Sequence, residues 1–203
     1  RRRGSIRRVD AMRIESSATS LSWIPSEAVP GLNKAVFGAG VTHYDPPPPD
    51  RIDDLETLRA DDRFRFANHL SAWIEVDDGR VVDAGQSGGG SMGATTLSVG
   101  ARQVTYAAVS FADLVPPAQV DERSARFVQT VGGHTAVPAP RRLHRPPFVA
   151  FRAPTVWTTL SLTLHADGRC ESELIGASPF PRHWLYDATG ALSAKAGLTD
   201  FKE

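Results

Sequence analysis

The chain has 203 residues, 41% of them hydrophobic and 23% charged, with 23 Lys and Arg against 23 Asp and Glu. This balance belongs to a globular chain rather than a disordered one, and no apolar run approaches the roughly 20 residues a membrane-spanning helix needs. The 17 glycines follow no triplet period, heptads are missing and Cys170 stands alone, which excludes collagen, coiled coil and disulfide scaffold.

Arg1, Arg2, Arg3, Arg7 and Arg8 crowd the first eight residues and leave 18 basic against 23 acidic residues in the remainder. An acidic body is a poor match for a phosphate backbone, so nucleic acid is not an expected partner. Residues 1–11 read as a tag or a disordered basic lead, and 12–203 as a single β-rich domain. Leu198 to Phe201 has the pattern of a first helical turn capped by Thr199, so the domain is expected to be truncated at its C-terminus. Val9 to Ser20 lacks the apolar stretch of a secretory signal, and one cysteine suits a reducing compartment. The expected location is cytoplasmic, with no membrane partner and the oligomeric state left open.

Along the chain, a strand-like segment follows Met12. Ser26 is placed to cap a short helix before Pro30-Gly31, and Pro46 to Pro49 predicts a stiff extended spacer. Ile52, Leu55 and Leu58 recur at helical spacing behind Asp50 as cap, predicting a surface helix over residues 51–60. From residue 70 the period becomes two. Leu70, Ala72, Ile74 and Val76 alternate with Ser71, Trp73 and Glu75, as in a half-buried strand. Asp78-Gly79 supplies a type I′ turn and Arg80 to Ala84 the return. Residues 85–93, rich in glycine, predict a mobile loop joining strands. Ala94 to Val99 pairs with Gln103 to Phe111 across Gly100-Ala101. Shorter strands are expected over Arg126–Val131 and Phe148–Arg152, with a long loop at 138–147, where four prolines fall.

The clearest strand is Val156 to His165. Val156, Leu160, Leu162 and Leu164 face one way, with Trp157, Thr159, Ser161, Thr163 and His165 opposite. Asp167-Gly168 turns it into Cys170–Ile175, and Asp187-Ala-Thr-Gly190 joins His183–Tyr186 to Ala191–Lys195. About nine strands with tight turns predict a mainly β fold, either an antiparallel β-barrel or a β-sandwich, with one or two short helices. The long helices between strands that a doubly wound α/β fold requires are missing.

Several patterns bear on chemistry. Gly85-Gln-Ser87-Gly-Gly89 matches the G-x-S-x-G elbow of serine hydrolases, but the β-branched run after it offers no helix to lift the hydroxyl. No lysine lies between Lys34 and Lys195, so the glycines form no P-loop, and a dinucleotide fingerprint again lacks its helix. The six histidines show no metal-ligand spacing. A metal site is open only to distant residues such as His165, Glu171 and His183, and neither metal nor cofactor is expected. Candidate catalytic residues are Ser87, His134, His183 and Glu75.

Aromatic side chains at alternating strand positions suit either packing or a ligand wall. Trp73, Trp157, Trp184 and Tyr186 are candidates for that wall, with His69, His134 and His183 as hydrogen-bonding groups. Arg141 and Arg142 offer forked donors for an anionic end. The first expectation is a domain that binds an apolar or amphipathic small molecule in a barrel or inter-sheet cavity, bordered by residues 85–93. Two alternatives stand beside it: an enzyme using that cavity for acid–base chemistry or hydrolysis, and a non-catalytic regulatory or interaction module.

Overall fold

A computed structural model describes residues 11–25, 34, 35, 39, 46–61, 63–134, 139–152, 155–179 and 182–196. The alternation beginning at Leu70 becomes strand β2 (Phe66–Asp77), which pairs antiparallel with β1 (Met12–Trp23) from Met12↔Val76 to Ser22↔Phe66. Leu70, Ala72, Ile74 and Val76 are buried, whereas His69, Ser71, Trp73 and Glu75 on the other face are partly exposed. At the turn, Asp78 and Gly79 both take positive φ (48° and 70°), as a type I′ hairpin requires. The return strand β3 (Arg80–Met92) is longer than expected and absorbs the glycine-rich stretch, pairing with β2 as far as Phe66↔Met92. Residues 85–92 are therefore strand, not loop.

Glycine serves packing there. A Cβ on Gly85 would lie 2.7 Å from the Trp73 ring, which occupies that space across the strand pair. Gly88 has φ +137°, and a Cβ on it would collide with the His69 carbonyl oxygen.

Two more antiparallel strands, β13 (Arg182–Tyr186) and β14 (Leu192–Ala196), complete the first sheet in the order β14-β13-β1-β2-β3. The second sheet centres on β11 (Thr155–His165), flanked by β8 (Ser124–His134) and β12 (Cys170–Ala177). Short strands β6 (Val109–Ser110) and β7 (Gln119–Val120) continue along the far side of β8. Both sheets keep free edges, so the architecture is a β-sandwich and not a closed barrel. Two hairpins stand apart: β4 (Thr95–Val99) with β5 (Arg102–Tyr106), and β9 (Ala139–Arg142) with β10 (Val149–Arg152). The second replaces the long loop expected over 138–147, with the Pro146-Pro147 bond in its turn.

Between the sheets, Ala18, Leu70, Ala72, Ile74 and Val76 meet Ala125, Phe127, Leu160, Leu162 and Leu164 in one cluster. Full burial of each large aliphatic side chain contributes about 1.5–3 kcal/mol. The inward facing expected for β11 is observed, with Val156, Leu160, Leu162 and Leu164 all buried. Beside this cluster the interior turns polar. Gln129 Nε2 donates to Asn68 Oδ1 (2.8 Å), Asn68 Nδ2 donates to Thr158 Oγ1 (3.1 Å), and the Thr158 and Ser20 hydroxyls lie 3.0 Å apart. The belt crosses from sheet to sheet fully bonded, and so avoids the cost of dry, unpaired polar groups.

A second cluster lies on the outer face of the first sheet. Leu21, Trp23, Phe64, Ala67, Trp184 and Tyr186 are covered by Ile52, Leu55 and Leu58. Helix α1 (Leu55–Ala60) is shorter than the expected 51–60, and its cap is Asp54 rather than Asp50. Asp54 accepts from Glu56 N and the Thr57 hydroxyl, whereas Arg51 bridges to Ala191 instead of starting the helix. Pro46 to Pro49 runs alongside, its last carbonyl accepting the Tyr186 hydroxyl at 2.8 Å. The helix expected after Ser26 and the turn at Leu198–Phe201 lie outside the described residues, as do residues 1–10. Among the described residues no helix is long and apolar enough to cross a membrane.

Candidate functional site

The four catalytic candidates occupy separate places. Ser87 is exposed on β3 opposite Ser71, and Glu75 lies four residues further along β2, about 13 Å away at strand rise. His134 ends β8 on the outer face of the second sheet, its ring edge-on to Phe111 at 5.0 Å and its Nδ1 3.3 Å from the Thr155 hydroxyl. His183 is inside the sandwich, 1% exposed.

The surroundings of His183 fix its tautomer. Nε2 lies 2.8 Å from the Ser178 carbonyl oxygen and must donate to it, so Nδ1 accepts the Ser22 hydroxyl at 2.7 Å. A serine donating to a histidine held by a third group has the form of an activated nucleophile. Ser22 is wholly buried, however, and the pair is sealed between the sheets. Desolvation holds the imidazole below its ordinary pKa, only partly offset by the Ser178 carbonyl.

The ligand candidates divide between two faces. Trp73, His69, Trp184 and Tyr186 all lie on the outer side of the first sheet. Trp184 and Tyr186 are core beneath α1, with Trp184 edge-on to Trp23 at 5.5 Å. Trp73 lies over Gly85 with the Arg13 guanidinium 4.2 Å from its ring, and His69 Nδ1 is 2.8 Å from the Thr19 hydroxyl. Trp157 is on the opposite side of the molecule, partly exposed on the second sheet. Arg141 and Arg142 pair with Ala150 and Val149 in the β9–β10 hairpin, and their side chains lie outside the described residues. Of the distant metal candidates, His165 and Glu171 do approach, at 3.5 Å, but His183 is remote in the interior. Among the described residues no three His, Cys, Asp or Glu side chains converge as metal ligands.

Two surface features escaped the sequence reading. One is a cleft of about 190 Å³ where β1, β11, β12 and the β13–β14 turn meet, at the edge of the sandwich away from residues 85–93. Ser16, Ser17, Cys170, Ser172, Asp187 and Thr189 line it, with Leu162 among its apolar residues. Asp187 Oδ1 accepts from Thr189 N, the Thr189 hydroxyl and Ala191 N, and the first-named side chain does most to keep the carboxyl below its ordinary range.

The other feature is the rim of the second sheet. Val109, Phe111, Leu114, Val115 and Val120 are each 44% to 64% exposed. The segment clings to β8 by intermittent backbone bonds, Phe111 N to Gly132 O and Leu114 with Thr130 in both directions. Pro116-Pro117 breaks the ladder, because neither proline has an N–H to give. A proline pair inside an apolar run was the available signal for such an edge. Compared with protein-family models, curated proteins and solved structures, the chain matches none.

Proposed function

We propose that the chain is a non-catalytic interaction module that engages a protein segment along the rim at 109–122. The observation that carries this reading is the set of five exposed apolar side chains within twelve residues, from Val109 to Val120. Exposed apolar side chains gathered along one sheet edge, with Val109 and Phe111 both beside His134, suit an interaction site. The same stretch contains Asp113, Asp121 and Glu122 and no basic residue, so the fitting partner is apolar with basic character. Glu122 is already paired with Arg80 at 3.8 Å, and Asp121 caps its own turn at Arg123 and Ser124, which leaves Asp113 as the charge best placed to meet a partner.

Panning a random-peptide phage library on the immobilised domain tests this reading. Enriched peptides are expected to be apolar and basic, and to bind Leu114→Asp at least about tenfold more weakly, the loss of one well-buried anchor. Peptides indifferent to Leu114→Asp and to Phe111→Ser sink it.

The cleft favours a second reading, binding of a small amphipathic molecule between the sheets. Its volume is below the roughly 300 Å³ at which ligand pockets usually begin, so the guest would be fragment-sized. A fragment that protects Cys170 from alkylation supports it. A screen in which no fragment slows that reaction removes it.

A further inference from the structure

The β4–β5 hairpin is a sheet separate from the two that form the sandwich. Its strands pair with each other from Thr95↔Tyr106 to Val99↔Arg102 and with no other strand among those described. One face is polar and internally bonded: the Thr96 and Thr105 hydroxyls are 3.1 Å apart, and Gln103 Nε2 donates to Ser98 Oγ at 3.4 Å. The alternate face carries Val99, Val104 and Tyr106, 40% to 66% exposed, together with Arg102. Among the described residues Val99, Val104 and Tyr106 stand largely in water, and a two-stranded hairpin with an uncovered apolar face is marginal there. That face needs a cover.

Resting on the interaction-module reading, we infer that the partner is a second copy of this chain, each copy laying the apolar face of its β4–β5 arm on the other's rim. Both surfaces belong to one chain, so exchange gives two equal contacts about a twofold axis and closes at the dimer. Charges agree. Arg102 is the one charged residue of the arm and makes no ion pair among the described residues, while the rim offers Asp113. The full chain, with 23 charges of each sign, adds no net repulsion between copies.

Docking within one chain is obstructed by connection length. Only Ala107 and Ala108 separate Tyr106 from Val109, a link that suits edge-to-edge pairing of neighbours but not folding one face over the other. Pro116-Pro117 keeps the rim from growing a further full strand, so its exposed side chains, not its backbone, are the surface on offer.

Sedimentation equilibrium of the whole chain, up to about 100 μM, is the test, since interfaces of ordinary size begin at micromolar affinity. The expected mass at the top of that range is twice the 21.9 kDa chain. Val104→Asp on the arm and Leu114→Asp on the rim each weaken association at least tenfold. Mixed together they recover part of it, because one intact arm then meets one intact rim. Thr105→Asp, on the polar face of the arm, leaves it unchanged, and all three positions are exposed, so the thermal midpoint reports whether the fold is kept. A monomer at about 100 μM overturns the inference, as does a dimer indifferent to Val104→Asp. If the chain is monomeric but selected peptides still depend on Leu114, the self-partner fails and the interaction reading stands. Loss of both removes both.

Discussion

His183 places a titratable group where protonation conflicts with its bonds. In the folded chain Nε2–H is committed to the Ser178 carbonyl and Nδ1 accepts from Ser22, so a second ring proton must displace the Ser22 donor. Burial lowers the pKa of this imidazole from its ordinary 6.5, and burial lowers that of His69 likewise. The unfolded chain, whose histidines titrate near the ordinary value, therefore binds more protons as pH falls below about 6.5. The histidine contribution is complete above that value and declines as pH drops through the interval between the unfolded and folded pKa values. The thermal midpoint is expected to be flat between about pH 7 and pH 9 and to fall from about pH 6.5 toward pH 5. His183→Gln retains a donor and an acceptor without titrating, so its decline over that interval is shallower and reflects His69. A wild-type slope in the variant would show that the buried imidazole is not the cause. Asp54, Asp121 and Asp187, held low chiefly by bonds from Thr57, Arg123 N and Thr189, lose their contributions only at more acid pH, below the ordinary 3.8.

At the level of elements, β3 separates what composition indicates from what packing decides. Glycine is unfavourable in a strand for entropic reasons, which is why residues 85–93 read as a loop. The neighbour across the ladder reverses that preference: Trp73 needs the empty surface of Gly85, and the chain at Gly88 adopts φ +137° against the His69 carbonyl. Neither relation is visible until the register Trp73↔Gly85 and Leu70↔Gly88 is known. By contrast, β2 and β11 were legible because period-two burial is local, and Asp78-Gly79 because its φ values follow from residue type. The candidate sites were hardly legible. Which face of β2 is the wet one depends on the second sheet, and the rim at 109–120 depends on how far β8 extends. Gly88→Ala is expected to destabilise the fold by about 2–4 kcal/mol, as a positive-φ strain plus a backbone collision. Ser87→Ala, one residue away and exposed, should change stability by no more than about 0.5 kcal/mol. Urea titration of the two variants decides it. A mild Gly88→Ala would mean that β3 is not held in this register.

On the scale of the whole molecule, the described residues cover the first sheet on both faces and the second on one. Cluster and polar belt fill the space between the sheets, and α1 with the segment leading into it covers one end of the first sheet's outer face. The other side of the second sheet leaves Trp157 and Ile175 partly in water, and the rim and the β4–β5 arm bury little at all. Local opening free energy follows buried contact, so amide exchange should be slowest in the core-facing runs of β1, β2, β8 and β11 and fast in residues 95–120. Concentration then separates two origins of any protection in that segment. Protection intrinsic to the monomer does not vary with dilution, whereas protection supplied by a second copy appears only where copies associate. The expected result is fast exchange over 95–120 in dilute protein, slowing in concentrated protein for Val104, Tyr106 and Leu114 together, while the four core strands exchange identically at both concentrations. Slow exchange of the arm even in dilute protein would place its cover within the same chain.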